Sequence, residues 1–163
     1  MADANGVYHT IIERLKEQEI AFSVHEHMAA VTVIDAEERL PFPKEAFLKT
    51  VVFKIKNGYW ILAAVRGQDS VDYRKLAAAF GVKRGDVVRP LPEEVETSLG
   101  YEIGGICPIP VGKDIEVVFD CNTLSMDRVY CGSGRNDRTL EIKLQDLLKV
   151  TQGRVLPLIR EHE

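Results

Sequence analysis

The stretch best suited to hold a reacting group is Gly104-Gly105-Ile106-Cys107-Pro108-Ile109-Pro110. Tandem glycines reach backbone conformations that a side chain forbids. The two prolines fix φ, remove two donors and rule out a helix or a central strand. The expected product is a stiff loop whose glycine end leaves room for a ligand and N–H groups to meet it. Such a loop can cradle an anion or a developing oxyanion. The plainer reading is a surface turn.

A second candidate is Lys49. Residues 46–55 read as a strand in which Phe47, Val51, Phe53 and Ile55 share a face, and period two puts Lys49 among them. An ammonium among aromatic and β-branched side chains is costly to desolvate unless something polar or anionic meets it. The alternative is a snorkelling lysine with a packed stem and a wet head. Cys107 offers a thiol, but no histidine is paired with it in sequence, and a small loop residue explains it as well. His25 and His27 share a face of an extended segment. A metal would need further ligands, and none stands at close helical or CxxC spacing. A strand end with polar side chains is preferred, and neither metal nor cofactor is expected.

The elements that must position these residues follow from period and punctuation. Val7, Ile11 and Leu15 mark a first helix, about Gly6 to Gln18, and Ile20, Phe22 and Val24 alternate as a strand. Thr32 and Asp35 predict a capped short helix to about Arg39. Asn57-Gly58 predicts a type I′ hairpin back into a strand from Tyr59 to Arg66. A helix from about Asp72 should reach Phe80, with Gly81 past its end. Val87-Val88 is a short strand, and Pro92 opens another helix that Gly100 closes. Ile115 to Phe119, Val129 to Cys131 and Leu140 to Leu144 read as strands, followed by a helix from Gln145 to Val150. The last apolar segment is Val155 to Ile159. The sum is an α+β fold: an antiparallel-rich sheet with flanking helices, not a regular βαβ series. Gly132-Ser133-Gly134 is no dinucleotide fingerprint, because it lacks a third glycine and leads into a strand. No phosphate-loop or hydrolase-elbow motif is present.

The chain of 163 residues is read as one domain. Its formal charge of −4 argues against bulk electrostatic binding to nucleic acid, while leaving room for a local basic groove. Its three cysteines fit reduced thiols in a cytoplasmic protein. No run is long and apolar enough to span a membrane.

The order of features resembles the YbaK/EbsC/ProX family, the aminoacyl-tRNA editing domain also inserted in bacterial prolyl-tRNA synthetases. The resemblance covers about His27 to Val150. It rests on a His before the Thr-capped helix, Phe47-Leu48-Lys49-Thr50-Val51-Val52-Phe53, Asp72-Tyr73-Arg74-Lys75-Leu76, Gly100 to Pro108, and a Gly-rich turn into Leu140-Glu141-Ile142-Lys143-Leu144. It implies a mixed, barrel-like sheet and a metal-free carboxylic ester hydrolase. The substrate would be tRNA(Pro) mischarged with cysteine or alanine, edited in trans. The alternative is a non-catalytic module of the same fold that binds aminoacyl-tRNA or a synthetase.

The resemblance implies catalytic roles for Lys49, Gly104 and Gly105, and substrate contacts for Thr50, Cys107, Pro108, Ser133 and Gly134. The implied partners are the 3′ end of aminoacyl-tRNA and a prolyl-tRNA synthetase, with neither membrane nor DNA. Lys44, Lys54, Lys56, Arg135 and Arg138 could line the entrance or form a solvated face. The family loop often has Ser where Cys107 stands and Gly where Pro110 stands. Some members carry a late histidine, and none lies between His27 and His162 here.

Overall fold

The computed structural model describes residues 4–30 and 40–161. Helix α1 (Ala4–Glu17) puts Val7, Ile11 and Leu15 into the core at the four-residue spacing of one helical face. Strand β1 (Phe22–Glu26) follows. The helix expected from Thr32 to Arg39 lies outside the described residues. Then come β2 (Leu48–Ile55), β3 (Trp60–Arg66), α2 (Tyr73–Phe80), β4 (Val87–Val88) and α3 (Pro92–Leu99). The chain ends with β5 (Ile115–Asp120), β6 (Arg128–Gly132), β7 (Arg138–Lys143), α4 (Leu144–Thr151) and β8 (Arg154–Leu156).

Local chemistry sets the helix ends. Asp72 caps α2, its Oδ1 accepting from the amides of Arg74 at 2.9 Å and Lys75 at 3.3 Å. Gly81 (φ 65°) and Gly100 (φ 80°) close α2 and α3 in the left-handed region, as their positions predict.

The strands form two sheets, β1-β7-β6 and β4-β2-β3-β5-β8. β3–β5 and β5–β8 are parallel and every other named pair is antiparallel, so the fold is mixed and antiparallel-rich. An isolated parallel bridge between Phe47 and Tyr130 joins the sheets, and among the described residues the ladder does not close into a barrel. β3 is buried on both faces. Leu62 and Ala64 join one core with α1, α3 and α4; Ile61, Ala63 and Val65 join a second with α2. β2 divides likewise, Leu48 and Val52 against Phe53 and Ile55.

The hairpin forms where Asn57-Gly58 predicts it, but not as a type I′ turn. Three residues separate Ile55 from Tyr59, whose carbonyl accepts the Ile55 amide at 2.9 Å. Gly58 N–H donates to Ile55 O at 2.9 Å, and only Asn57 of the pair takes positive φ (58°). A type I′ turn needs both, whereas asparagine tolerates the left-handed region alone.

Candidate functional site

β2 is paired with β3 from Leu48 to Lys54, but with β4 only at Lys54 and Ile55. Along Leu48–Val52 no described strand takes its second edge, apart from the bridge at Phe47. A cavity of about 290 Å³ lies there, and all five residues line it. Lys49 and Thr50, on opposite faces by alternation, therefore both reach one space. Gly104 and Ile106 of the glycine loop form part of the wall. His27 from the end of β1, Tyr130 and Gly132 of β6, Arg138 and Thr139 of β7, and Arg89 before α3 complete the part that carries chemistry.

Gly104 is exposed, has φ 92°, and its amide donates to no described backbone carbonyl. Gly105 is used differently. It is buried, its N–H donates to Glu102 O at 2.8 Å, and its carbonyl accepts from Gly134 N at 2.7 Å. A Cβ built there would stand 2.3 Å from the carbonyl carbon of Arg135. The second glycine lets two backbones touch, and it does not line the cavity. Asn136 fastens the same contact: its amide donates to Glu102 Oε1 at 2.7 Å and its Nδ2 to Ile103 O at 3.1 Å.

Four expected substrate contacts lie off the cavity wall. Cys107 and Pro108 are buried behind the loop. Burial pushes the Cys107 thiol up to about 12, so at neutral pH it is neither a thiolate nor accessible. Ser133 is fully enclosed, its Oγ donating to Arg138 O at 2.7 Å. Gly134 is buried at φ 102° against the backbone of Tyr8. These residues shape the loop and turn from behind. Thr50 differs: the residue lines the cavity, and its buried Oγ1 has no hydrogen-bond partner among the described residues. An unsatisfied buried hydroxyl costs roughly 1–3 kcal/mol, which a ligand group could recover.

His25 and His27 do not converge. His25 Nε2 meets Glu141 Oε1 at 2.7 Å, and that contact, with Arg128 at 3.0 Å, holds the Glu141 carboxyl below the usual carboxylate range. His27 turns to the cavity, its Nε2 2.7 Å from Thr139 Oγ1. Among the described residues no three His, Cys, Asp or Glu side chains group as metal ligands.

Of the basic residues expected at the entrance, Arg138 lines the cavity, with its Nε 3.6 Å from Glu26 Oε1 and its guanidinium over the Tyr8 ring. Lys54 instead pairs with Glu94 at 3.1 Å, and Arg135 pairs with Asp137 at 3.0 Å. Lys44 and Lys56 are exposed elsewhere. Arg89, Tyr130, Asn136 and Thr139 are wall residues that the sequence did not point to, and His27, a strand end and a mark of the family resemblance, was given no role in the site. Thr139 and His27 are 112 positions apart, and only the register of β1 against β7 brings them together.

The model of the aminoacyl-tRNA editing domain matches residues 27–150. A proline–tRNA ligase of Exiguobacterium sibiricum is 30% identical over an alignment of 137 residues that covers 78% of this chain and 23% of the ligase. EbsC of Enterococcus faecalis, named as a candidate Cys-tRNA(Pro)/Cys-tRNA(Cys) deacylase, is 26% identical over 138 residues, 85% of this chain and 80% of that protein. A solved structure described as a candidate trans-editing enzyme for prolyl tRNA synthetase superposes with a TM-score of 0.80. It has 23% identity and 97% coverage of both chains. Among the described residues no helix is long and apolar enough to cross a membrane. With the family model spanning most of its length, including β2, the glycine loop and the turn behind it, the chain belongs to the aminoacyl-tRNA editing domain family.

Proposed function

We propose that this protein hydrolyses the ester between a mischarged amino acid and tRNA, acting in trans on cysteine or alanine attached to tRNA(Pro). The observation that carries this reading is the meeting of Lys49 and Gly104 on one cavity. Its volume of about 290 Å³ stands at the small end of ligand pockets, roughly 300–1,000 Å³. That suits a small amino acid with the ribose end rather than a bulky side chain.

An aminoacyl ester has a good leaving group in the ribose oxygen. The work left to the protein is to hold the ester and stabilise the tetrahedral oxyanion. In this reading the Lys49 ammonium binds the terminal phosphate or the ester carbonyl oxygen. The Gly104 amide meets the oxyanion, and Thr50 Oγ1 bonds the amino acid. Gly105 holds the loop in place from behind. Arg89 and Arg138 meet phosphates at the cavity, and a prolyl-tRNA synthetase is the partner that presents the charged 3′ end.

The test is a panel of tRNA(Pro) mischarged with alanine, cysteine and serine, with ester loss followed over time. Faster discharge of at least one member than in buffer supports the reading. Flat time courses throughout, with tRNA still bound, would favour a binding module of the same fold.

A further inference from the structure

We infer that His27 and Thr139 form a proton relay on the cavity wall, a role that rests on the hydrolytic reading above. His27 Nδ1 lies 2.6 Å from the carbonyl oxygen of Met28, and its Nε2 lies 2.7 Å from Thr139 Oγ1. A carbonyl only accepts, so the ring hydrogen is assigned to Nδ1. Nε2 of the neutral imidazole then carries the lone pair, and the threonine hydroxyl donates to it. A hydroxyl, a ring nitrogen that accepts from it and a carbonyl that fixes the ring are the three parts of a side chain set up to pass protons.

Position supports the assignment. Both residues line the cavity, with Thr139 only 8% exposed. The relay also adjoins the glycine loop. Across the ladder Thr139 faces Gly132, and cross-strand partners share a face. The place of the missing Gly132 side chain is taken by the Ile106 carbonyl oxygen, 2.1 Å from a Cβ built there. The absent side chain thus lets the loop that carries Gly104 come up against β6, at the residue paired with Thr139 of β7. His25 gives the internal contrast: it pairs with Glu141 and packs on Phe42, and it does not line the cavity.

In the relay, a water oxygen bonds to the ester carbonyl carbon while one water proton passes to Thr139 Oγ1. The threonine's own proton moves to His27 Nε2, and Nδ1–H keeps its bond to Met28 O. Collapse of the tetrahedral adduct breaks the carbon–oxygen bond to the ribose. The ribose oxygen takes the proton back along the same path. The products are free amino acid and tRNA with both terminal hydroxyls restored.

The test measures single-turnover hydrolysis of whichever mischarged tRNA(Pro) the wild-type protein discharges, with tRNA affinity and melting temperature measured beside it. Thr139→Val and His27→Gln should each slow the chemical step about 100-fold or more, within the range of general acid–base catalysis. Thr139→Ser should restore most of the rate, and tRNA affinity should hold within about threefold of wild type, a change under 1 kcal/mol. Wild-type rates in either folded variant overturn the relay while leaving the hydrolytic reading intact. Loss of rate matched by equal loss of tRNA affinity also overturns it, because the pair would then only shape the wall. If Thr139→Val does not fold, His27→Gln alone decides by the same criteria. Absence of wild-type hydrolysis on every tRNA overturns the reading itself, and the relay with it.

Discussion

A methyl group added at Gly105 separates two roles for the twin glycine. The new Cβ would lie 2.3 Å from the Arg135 carbonyl carbon, 2.4 Å from its oxygen and 2.7 Å from Asn136 N. All three are backbone atoms, so no side chain can rotate away. Relief requires the loop and turn to part by about 1 Å, judged against ordinary carbon contacts of about 3.5 Å. That movement strains the bonds Gly134 N–H to Gly105 O at 2.7 Å and Glu102 N–H to Gly134 O at 2.9 Å. Overpacking of this kind costs about 1–3 kcal/mol, and a chain of this size loses about 2–4 °C per kcal/mol. Gly105→Ala should therefore melt about 2–12 °C below wild type, and hydrolysis should fall because Gly104 moves with the loop. Thermal unfolding by circular dichroism and single-turnover hydrolysis check this. An unchanged melting temperature with hydrolysis abolished would refute the reasoning, because Gly105 would then be meeting the ligand rather than the backbone behind it.

Thr50→Val removes a buried hydroxyl that has no partner among the described residues. It should leave stability unchanged or raise it by about 1 kcal/mol, while hydrolysis drops at least tenfold; a variant as active as wild type would take Thr50 out of the site. Maleimide at neutral pH should label Cys121, which is exposed, and spare the buried Cys107 and Cys131. Labelled protein should keep its activity, whereas mass spectrometry finding native Cys107 modified with loss of hydrolysis would reopen a thiol mechanism. The folded state holds the Glu141 carboxyl down through His25 first and Arg128 second. Its contribution is present above the unfolded carboxylate range and lost as pH falls through the lower folded value. Denaturant midpoints of Glu141→Gln should fall below wild type near neutrality, by less than about 1 kcal/mol for partly exposed partners. That gap should close in acid, and a gap that widens in acid would reverse the sign of the argument.

Elements with their own punctuation were legible in the sequence. Asp72 and Gly81 bound α2, and Pro92 and Gly100 bound α3, because caps act within a few residues of the chain. The hairpin was placed by Asn57-Gly58, but its turn type depended on which residues paired, and three intervened. The parallel pairing of β3 with β5 was not legible, since Gly67 to Asp114 separate the two strands and no local pattern fixes their direction. At the cavity, Lys49 announced itself by the cost of an ammonium among apolar neighbours, and Gly104 by tandem glycine. Gly105 looked the same in sequence, yet its reason is the backbone of Arg135, a tertiary contact. Cys107 and Ser133 carried reactive side chains that the fold encloses. His27 with Thr139 depended on strand register, which neither segment encodes alone.

The most direct measurement is single-turnover hydrolysis of Cys-tRNA(Pro) and Ala-tRNA(Pro) by wild type and Lys49→Ala at saturating protein. Wild type should discharge at least one ester, and the variant should lose about 100- to 1,000-fold, the cost of removing one donor that stabilises developing charge. Equal rates in the two proteins would contradict this expectation.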